Sequence, residues 1–199
     1  MRKPVVAVDI DDVLLEGVPV IVADYNRRFG TRVTPGDLYA AEYNRQVWGD
    51  VDIATASRRI DAYAESSAFT NREPVREVTH CLRALAKRYE LHVLTGRNDV
   101  VTELTNDWLR CYFPEVFASV NFSNLFDPDK KRSKGEMCVE LGASFLIDDH
   151  LPNVKSAAEY GLRAVLFGNY PWNQADELPP GVTRCADWPA VLEYFDGAS

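Results

Sequence analysis

The sequence predicts an α/β fold: a parallel sheet with helices on both faces and a small helical insertion after the first strand. Three observations carry that expectation. Short continuous apolar runs, Val5-Val6-Ala7-Val8 and Ser144-Phe145-Leu146-Ile147 among them, suit strands buried on both faces. Strand and helix signals alternate about five times, regularly from Pro74 onward, as in a sheet built from crossover units. Residues 16–73 have a different texture, rich in Tyr, Arg, Asp and Ala and without a comparable strand.

The elements follow in order. Val5–Val8 forms the first strand. Val18 to Phe29 reads as a helix stopped by Gly30, and Thr34-Pro35 has the pattern of an N-cap and first helical position. Ser57 to Tyr63 lies on another helix of the insertion. Val75, Val78, Leu82, Leu85 and Tyr89 mark one helical face. Leu91–Leu94 is the next strand. Val100 to Tyr112 is helical and stops before Pro114, and Phe117 to Phe122 is a short strand. Ser133 with Glu136 fits a capping box that opens a helix ending near Gly142. Ser144–Ile147 is a buried strand, Asn153 to Tyr160 a helix with Gly161 as its stop, and Ala164–Phe167 the last strand. Asp187 caps a final short helix with Pro189 in its first turn.

The 199 residues suit one α/β domain with a modest insertion. A net charge of −8 disfavours long nucleic acid and anionic membrane as partners. The Lys130-Lys131-Arg132 run reads as solvated surface charge. Cys81, Cys111, Cys138 and Cys185 show neither C-x-x-C pairing nor zinc-finger spacing, and read as reduced core thiols. No signal peptide and no bilayer-spanning apolar stretch is evident, which implies a cytoplasmic protein.

In open α/β sheets, sites gather beyond the carboxyl ends of the strands. There the sequence places Asp9-Ile10-Asp11-Asp12-Val13, Thr95-Gly96-Arg97 and Asp148-Asp149-His150, with Lys134 opening the helix before the last of these. A single Asp after a strand is ordinarily a helix cap. Two acid clusters facing one sheet edge are a different matter. Their repulsion calls for a hard cation with oxygen ligands, and Mg²⁺ is the usual choice where phosphate is also bound.

Asp9-x-Asp11-x-Val13, Thr95, Lys134 and Asp148-Asp149 resemble the four ordered motifs of the haloacid dehalogenase-like (HAD) phosphatases, over almost the whole span from Val5 to Phe167. Within that superfamily the chain is most similar to the 5'(3')-deoxyribonucleotidase type and its bacterial nucleotidase-like relatives. Asp9-Ile10-Asp11-Asp12-Val13-Leu14, Ile147-Asp148-Asp149-His150 and Tyr170-Pro171-Trp172-Asn173 carry this likeness. It implies a Rossmann-like core over 1–15 and 74–199, with a small helical cap over 16–73. It also implies an Mg²⁺-dependent phosphomonoester hydrolase acting through an aspartyl-phosphate on a small phosphorylated substrate such as a nucleoside monophosphate.

By the same resemblance Asp9 is the nucleophile, and Asp11 is the general acid and then base, its pKa raised by the crowded carboxylates. Asp9, Asp149 and the Asp11 main-chain carbonyl hold Mg²⁺, with Asp148 in support. Thr95, Gly96 and Lys134 hold the phosphoryl oxygens. Among aromatic residues of the insertion (Tyr39, Tyr43, Trp48, Tyr63 and Phe69), Tyr43 and Trp48, together with Arg97 of the core, are the candidates for touching substrate. His80, His92 and Trp172 read as structural. The chain departs from the pattern in three places. Position 12 is Asp where many relatives have Gly, position 13 is Val where many have Thr, and Thr95-Gly96-Arg97 is closer to polynucleotide 3'-phosphatases. A polynucleotide 3'-phosphatase, a sugar phosphatase and a catalytically idle binding protein therefore stand as alternatives. A response-regulator receiver has the motifs in another order, and in a dehalogenase proper Asp11 has no obvious job.

Overall fold

A computed structural model describes residues 2–30, 32, 34–35, 51, 55, 58–59, 63, 72–125, 127 and 129–197. Six strands form one parallel sheet: β1 Val5–Val8, β2 Glu90–Thr95, β3 Phe117–Phe122, β4 Ala143–Asp148, β5 Arg163–Phe167 and β6 Val182–Cys185. Their order is β3-β2-β1-β4-β5-β6, with every pair parallel. The helices are α1 Val18–Phe29, α2 Val78–Leu85, α3 Thr102–Tyr112, α4 Lys134–Leu141, α5 Leu151–Glu159 and α6 Trp188–Gly197.

The period-two alternation of a strand explains the layers. Val6 and Val8 of β1 join an apolar cluster with Leu82, Leu85, Trp108 and Phe195, which places α2, α3 and α6 on one face. Ala7 points the other way, into a cluster with Met137, Cys138, Val154 and Ala157 of α4 and α5. All four residues of β1 are buried, so the strand has no polar face to place. Each such Val or Leu contributes roughly 1.5–3 kcal/mol by leaving water.

The expected elements are present where described, with four differences. A sixth strand, β6, lies beyond the expected last one; it is short, half-exposed and paired only with β5, so its apolar signal is weak. Helix α2 starts later than the apolar spacing suggests, because Glu77 is left-handed at φ 65° and Val75 instead pairs its N–H with the Leu14 carbonyl at 2.9 Å. Ser133 is the N-cap of α4, but its side chain makes no capping bond; the hydroxyl lies 3.1 Å from that of Ser156. Three cysteines are buried as expected, whereas Cys111 is exposed on α3. Asp187 does cap the final helix, accepting the Ala190 N–H at 2.9 Å.

The segment between β1 and α2 leaves and returns at one place. Leu15 bridges Pro74, so the outgoing and returning chain pass side by side next to the end of β1. Helix α1 lies just beyond that place, entered through Gly17 and stopped by left-handed Gly30. Among the described residues, no helix is long and apolar enough to cross a membrane.

Candidate active site

Strand β1 lies between β2 and β4, so the chain leaves it on both sides and opens a crevice at its carboxyl end. Val8 is in register with Ile147, and the Asp9 N–H donates to the Ile147 carbonyl at 2.9 Å. Asp9 and Asp148 therefore emerge side by side, with Asp149 next in the chain. Carboxylate oxygens of Asp9, Asp148 and Asp149, all three buried, lie within 4.8 Å of one another.

Lys134 partly offsets this charge. Its Nζ is 2.8 Å from Asp9 Oδ2 and 2.7 Å from Asp148 Oδ2, and its side chain is almost fully buried. A close helix contact places it there. A Cβ on the neighbouring Gly135 would sit 2.5 Å from the Ser156 hydroxyl and 2.9 Å from its carbonyl oxygen, so only glycine lets α4 approach α5 this closely. Asp148 is further satisfied by the His150 N–H at 2.9 Å and by Asn153 Nδ2 at 3.0 and 3.2 Å. Asp149 has a neutral donor instead, the Trp172 indole N–H at 2.7 Å from Oδ2.

The energetics follow from this unequal sharing. Burial pushes Asp9 up to about 7, with Asp148 and Asp11 adding to the push and Lys134 opposing it. Burial also raises Asp149, with Asp12, Asp148 and Asp9 reinforcing it against the indole hydrogen bond. The lysine ammonium is held well above its usual range by Asp148 and Asp9, against its own burial. One lysine shared between two acids, with a third acid adjacent, leaves negative charge that burial makes costly. Three hard oxygen donors in such a cluster fit a divalent cation of the Mg²⁺ type.

Asp11 is treated differently. Arg97 donates from Nε to Oδ2 at 2.8 Å and from Nη2 to Oδ1 at 3.0 Å, and Arg72 Nη1 donates to Oδ1 at 2.7 Å. Burial would raise Asp11, but the two guanidinium groups overcome it and hold the carboxyl well below the usual carboxylate range. This corrects the expectation that crowding by neighbouring acids raises its pKa. Its carboxylate also stands apart from the three clustered ones. Arg97, an expected substrate contact, spends its guanidinium here and on Thr105 Oγ1 at 3.1 Å.

Thr95 ends β2 fully buried, and its hydroxyl oxygen accepts the Arg97 N–H at 3.3 Å. Gly96 follows it on the same loop, which turns back through Leu125 N–H to the Gly96 carbonyl at 3.0 Å. Asp12, left-handed at φ 60°, is buried and accepts the N–H groups of Gly17 at 2.9 Å and Val18 at 2.8 Å, the entry to α1. Burial raises Asp12 to about 7 despite those two bonds.

The structure thus brings Asp9, Asp148, Asp149 and Lys134 together as the motifs suggest. Tyr43 and Trp48 lie outside the described residues, as do Tyr39 and Phe69. His92 is structural as expected, its ring nitrogens 2.7 Å from Ser119 Oγ and 3.0 Å from Glu90 Oε1. Lys130, Lys131 and Arg132 are exposed surface charges. Sequence reasoning missed Arg72, the structural use of Asp12, and the Trp172 bond to Asp149. Arg72 is 61 positions from Asp11, and no spacing rule reaches that far.

Comparison with known proteins agrees with this fold. The protein family described as 5' nucleotidase, deoxy (Pyrimidine), cytosolic type C matches residues 3–195. A haloacid dehalogenase-like hydrolase from Streptococcus pneumoniae superposes with a TM-score of 0.72 at 14% identity, over 97% of this chain and 98% of that one. A protein from Clostridium acetobutylicum, described as a predicted phosphatase, gives 0.70 at 15% identity over 99% and 100%. A HAD-hydrolase from Bacillus subtilis bound to magnesium gives 0.65 at 11% identity over 98% and 100%. No protein of curated function matches the chain significantly. At these identities the superpositions establish the fold, while the family match covers nearly the whole length. The chain belongs to the cytosolic type C 5'-nucleotidase family, and is a phosphatase built on the HAD-like fold.

Proposed function

We propose that the protein is an Mg²⁺-dependent phosphomonoester hydrolase that works through an aspartyl-phosphate on a nucleoside monophosphate. The observation that carries this reading is the excess of buried negative charge at Asp9, Asp148 and Asp149, beside one buried lysine. A bound Mg²⁺ would neutralise that excess and charge on the phosphoryl group. Asp9 and Asp149 would hold it, joined by the Asp11 main-chain carbonyl, with Asp148 in support through Lys134.

The roles of the chain's own groups follow. The Asp9 carboxylate attacks phosphorus as the ester oxygen leaves, forming the acyl phosphate. Lys134 keeps Asp9 aligned from one side, and the Ile10 N–H donates to its other oxygen at 2.7 Å. The Thr95 hydroxyl and the Gly96 N–H would receive phosphoryl oxygens. Asp11 would protonate the leaving oxygen and then take a proton from the water that cleaves the intermediate. Its arginine-bound form is the carboxylate, which suits the second step. To serve in the first it must loosen from one arginine and gain a proton.

A cavity beside α1 would suit a small leaving group. It measures about 240 Å³ and is lined by Ile21, Tyr25, Phe29, Tyr63, Arg58 and Arg59 among others, a mixture of aromatic rings and planar guanidinium groups suited to stacking. Tyr63 also lies under the Arg72 guanidinium, 6.0 Å from ring centre to carbon, and so joins this cavity to the Asp11 side of the site. The family's cytosolic type supports a cytoplasmic reaction.

A panel of nucleoside monophosphates, sugar phosphates and a 3'-phosphorylated oligonucleotide, assayed for phosphate release, tests the substrate class. The monophosphates should lead. Tyr43→Ala and Trp48→Ala should weaken nucleotide use by roughly 1–3 kcal/mol if those rings stack on the base. Both should largely spare a small aryl phosphate, and equal losses on both substrates would leave only a general phosphatase.

A further inference from the structure

The segment after β5 is built more tightly than a connecting loop needs to be. Trp172 is 2% exposed and Asn173 fully buried. The Trp172 indole stacks on the Tyr170 ring at 4.5 Å and 4°, while its N–H reaches Asp149 Oδ2. Asn173 Nδ2 donates to the Asp149 carbonyl at 3.0 Å and to the Phe167 carbonyl at 2.9 Å. Arg184 of β6 in turn donates to Asn173 Oδ1 at 2.8 Å and to its carbonyl at 2.7 Å. Gly168, left-handed at φ 77°, leaves no room for a side chain, because a Cβ there would lie 2.2 Å from the Tyr170 ring. Both the backbone and the side chain of Asp149 are thus held from this one segment.

The same segment touches the insertion. Trp172 belongs to an apolar cluster with Val18, Val22 and Tyr25 of α1. The Tyr170 hydroxyl donates to the Asp12 carbonyl at 3.0 Å, and Asp12 caps the entry to α1.

We propose that Trp172 is a positioning residue for the cation site: its indole N–H turns Asp149 so that one carboxylate oxygen is fixed and the other is presented to the ion. This rests on the reading of Asp9 and Asp149 as Mg²⁺ ligands. Asp148 meets Lys134, His150 and Asn153, whereas the donor on the Asp149 carboxylate is neutral. The neutral donor orients the carboxylate without competing with the ion for its charge. Partners of this kind behind a metal ligand are typically worth about 10–100-fold in metal affinity.

The test is Mg²⁺ binding measured by calorimetry on the parent and on Trp172→Phe, which keeps a ring against Tyr170 and α1 but removes the N–H. The dissociation constant should rise about 10–100-fold. The KM for a phosphate ester at saturating Mg²⁺ should change little, and the melting temperature in EDTA should fall modestly as Asp149 loses its buried donor. Val22→Ala, in the same apolar cluster and with no polar group to offer Asp149, should lower the melting temperature while leaving Mg²⁺ affinity in place. In the parent, the Trp172 indole N–H resonance should shift on adding Mg²⁺, a readout that needs no variant. Unchanged affinity in Trp172→Phe, an equal loss in Val22→Ala, or an unmoved Trp172 resonance in a parent that binds Mg²⁺ would each overturn this inference alone. A parent that binds no Mg²⁺ would overturn the metal reading and this inference together.

Discussion

Asp9 and Asp11 follow β1 only two residues apart, and their surroundings are opposite. Two arginines clamp Asp11. Asp9 and Asp148 share one lysine, and Asp149 beside them meets the Trp172 indole. Asp11 is held far down the carboxylate range, while Asp9 is pushed up to about 7 and Asp149 is raised as well. Burial alone cannot explain the contrast, since it raises all of them; the count of cations does. The unbalanced group is where a divalent ion would be taken up, and the balanced one is where the chain already supplies the positive charge.

The largest expected effect sharpens the role of Asp9. Asp9→Asn removes the nucleophile and one of three crowded charges, so steady-state turnover should vanish while the protein stays folded, the relieved repulsion offsetting the loss of one of the two carboxylates paired with Lys134. Appreciable phosphatase activity in that purified variant would break the assignment.

The next comparison divides the Asp148-Asp149 pair. Asp148→Ala takes one of two buried carboxylates from Lys134 and leaves the His150 N–H and Asn153 without their acceptor, so it should lower the melting temperature. Asp149→Ala removes a charge whose donor among the described residues is the neutral Trp172 indole, so its fold should suffer less and its Mg²⁺ requirement should rise more. Melting curves in EDTA and activity against Mg²⁺ concentration read the two effects separately. The reverse ranking on Mg²⁺ would mean that Asp148 is the direct ligand.

Removing one side of the Asp11 clamp should have a moderate effect. Arg97→Met should lower stability by about 1.5–3 kcal/mol, the usual worth of hydrogen bonds to a charged group. It should leave Mg²⁺ affinity nearly untouched, because the clamp is separate from the clustered acids. A large loss of Mg²⁺ affinity in this variant would merge the two groups that the structure keeps apart.

The smallest expected effect is in pH dependence. Asp9 and Asp12 titrate near 7 in the fold, against about 3.9 in an unfolded chain. Between those values the folded state holds more protons, so these two acids lower the stability of the cation-free protein as pH rises through the window. Asp11 acts with the opposite sign: its contribution is present above its unfolded pKa and is lost as pH falls toward its depressed one. Mg²⁺ binds the ionised acids and competes with their protons. The rise in melting temperature on adding Mg²⁺ should therefore be greater at pH 8 than at pH 5.5. An equal rise at both would separate the ion from these carboxylates.

The sheet was legible because its strands are continuous apolar runs, and the acids stood out because they follow those runs directly. β6 was not legible, since Val182-Thr183-Arg184-Cys185 alternates and lies on an edge. The four motif positions that meet in space, Asp9, Lys134, Asp148 and Asp149, are each tied to a strand end or helix start, where sequence order translates into place. Arg72 and Trp172 have no such tie. Arg72 arrives from the returning chain of the insertion, its carbonyl fixed by the Trp108 indole at 2.6 Å, and Trp172 arrives from the loop after β5. An arginine in a polar insertion and a tryptophan in a loop look like surface charge and packing until the fold sets them beside a carboxylate. The direction of the Asp11 shift was missed for the same reason: neighbouring acids are visible in the sequence, and the two distant arginines that outweigh them are not.

If the unbalanced acids form a cation-dependent phosphate site, turnover must follow the cation. Phosphate release from a nucleoside monophosphate tests it most directly, measured with Mg²⁺, after exhaustive chelation, and after Mg²⁺ is restored. The account predicts turnover, then none, then recovery; full activity in the chelated protein would contradict it.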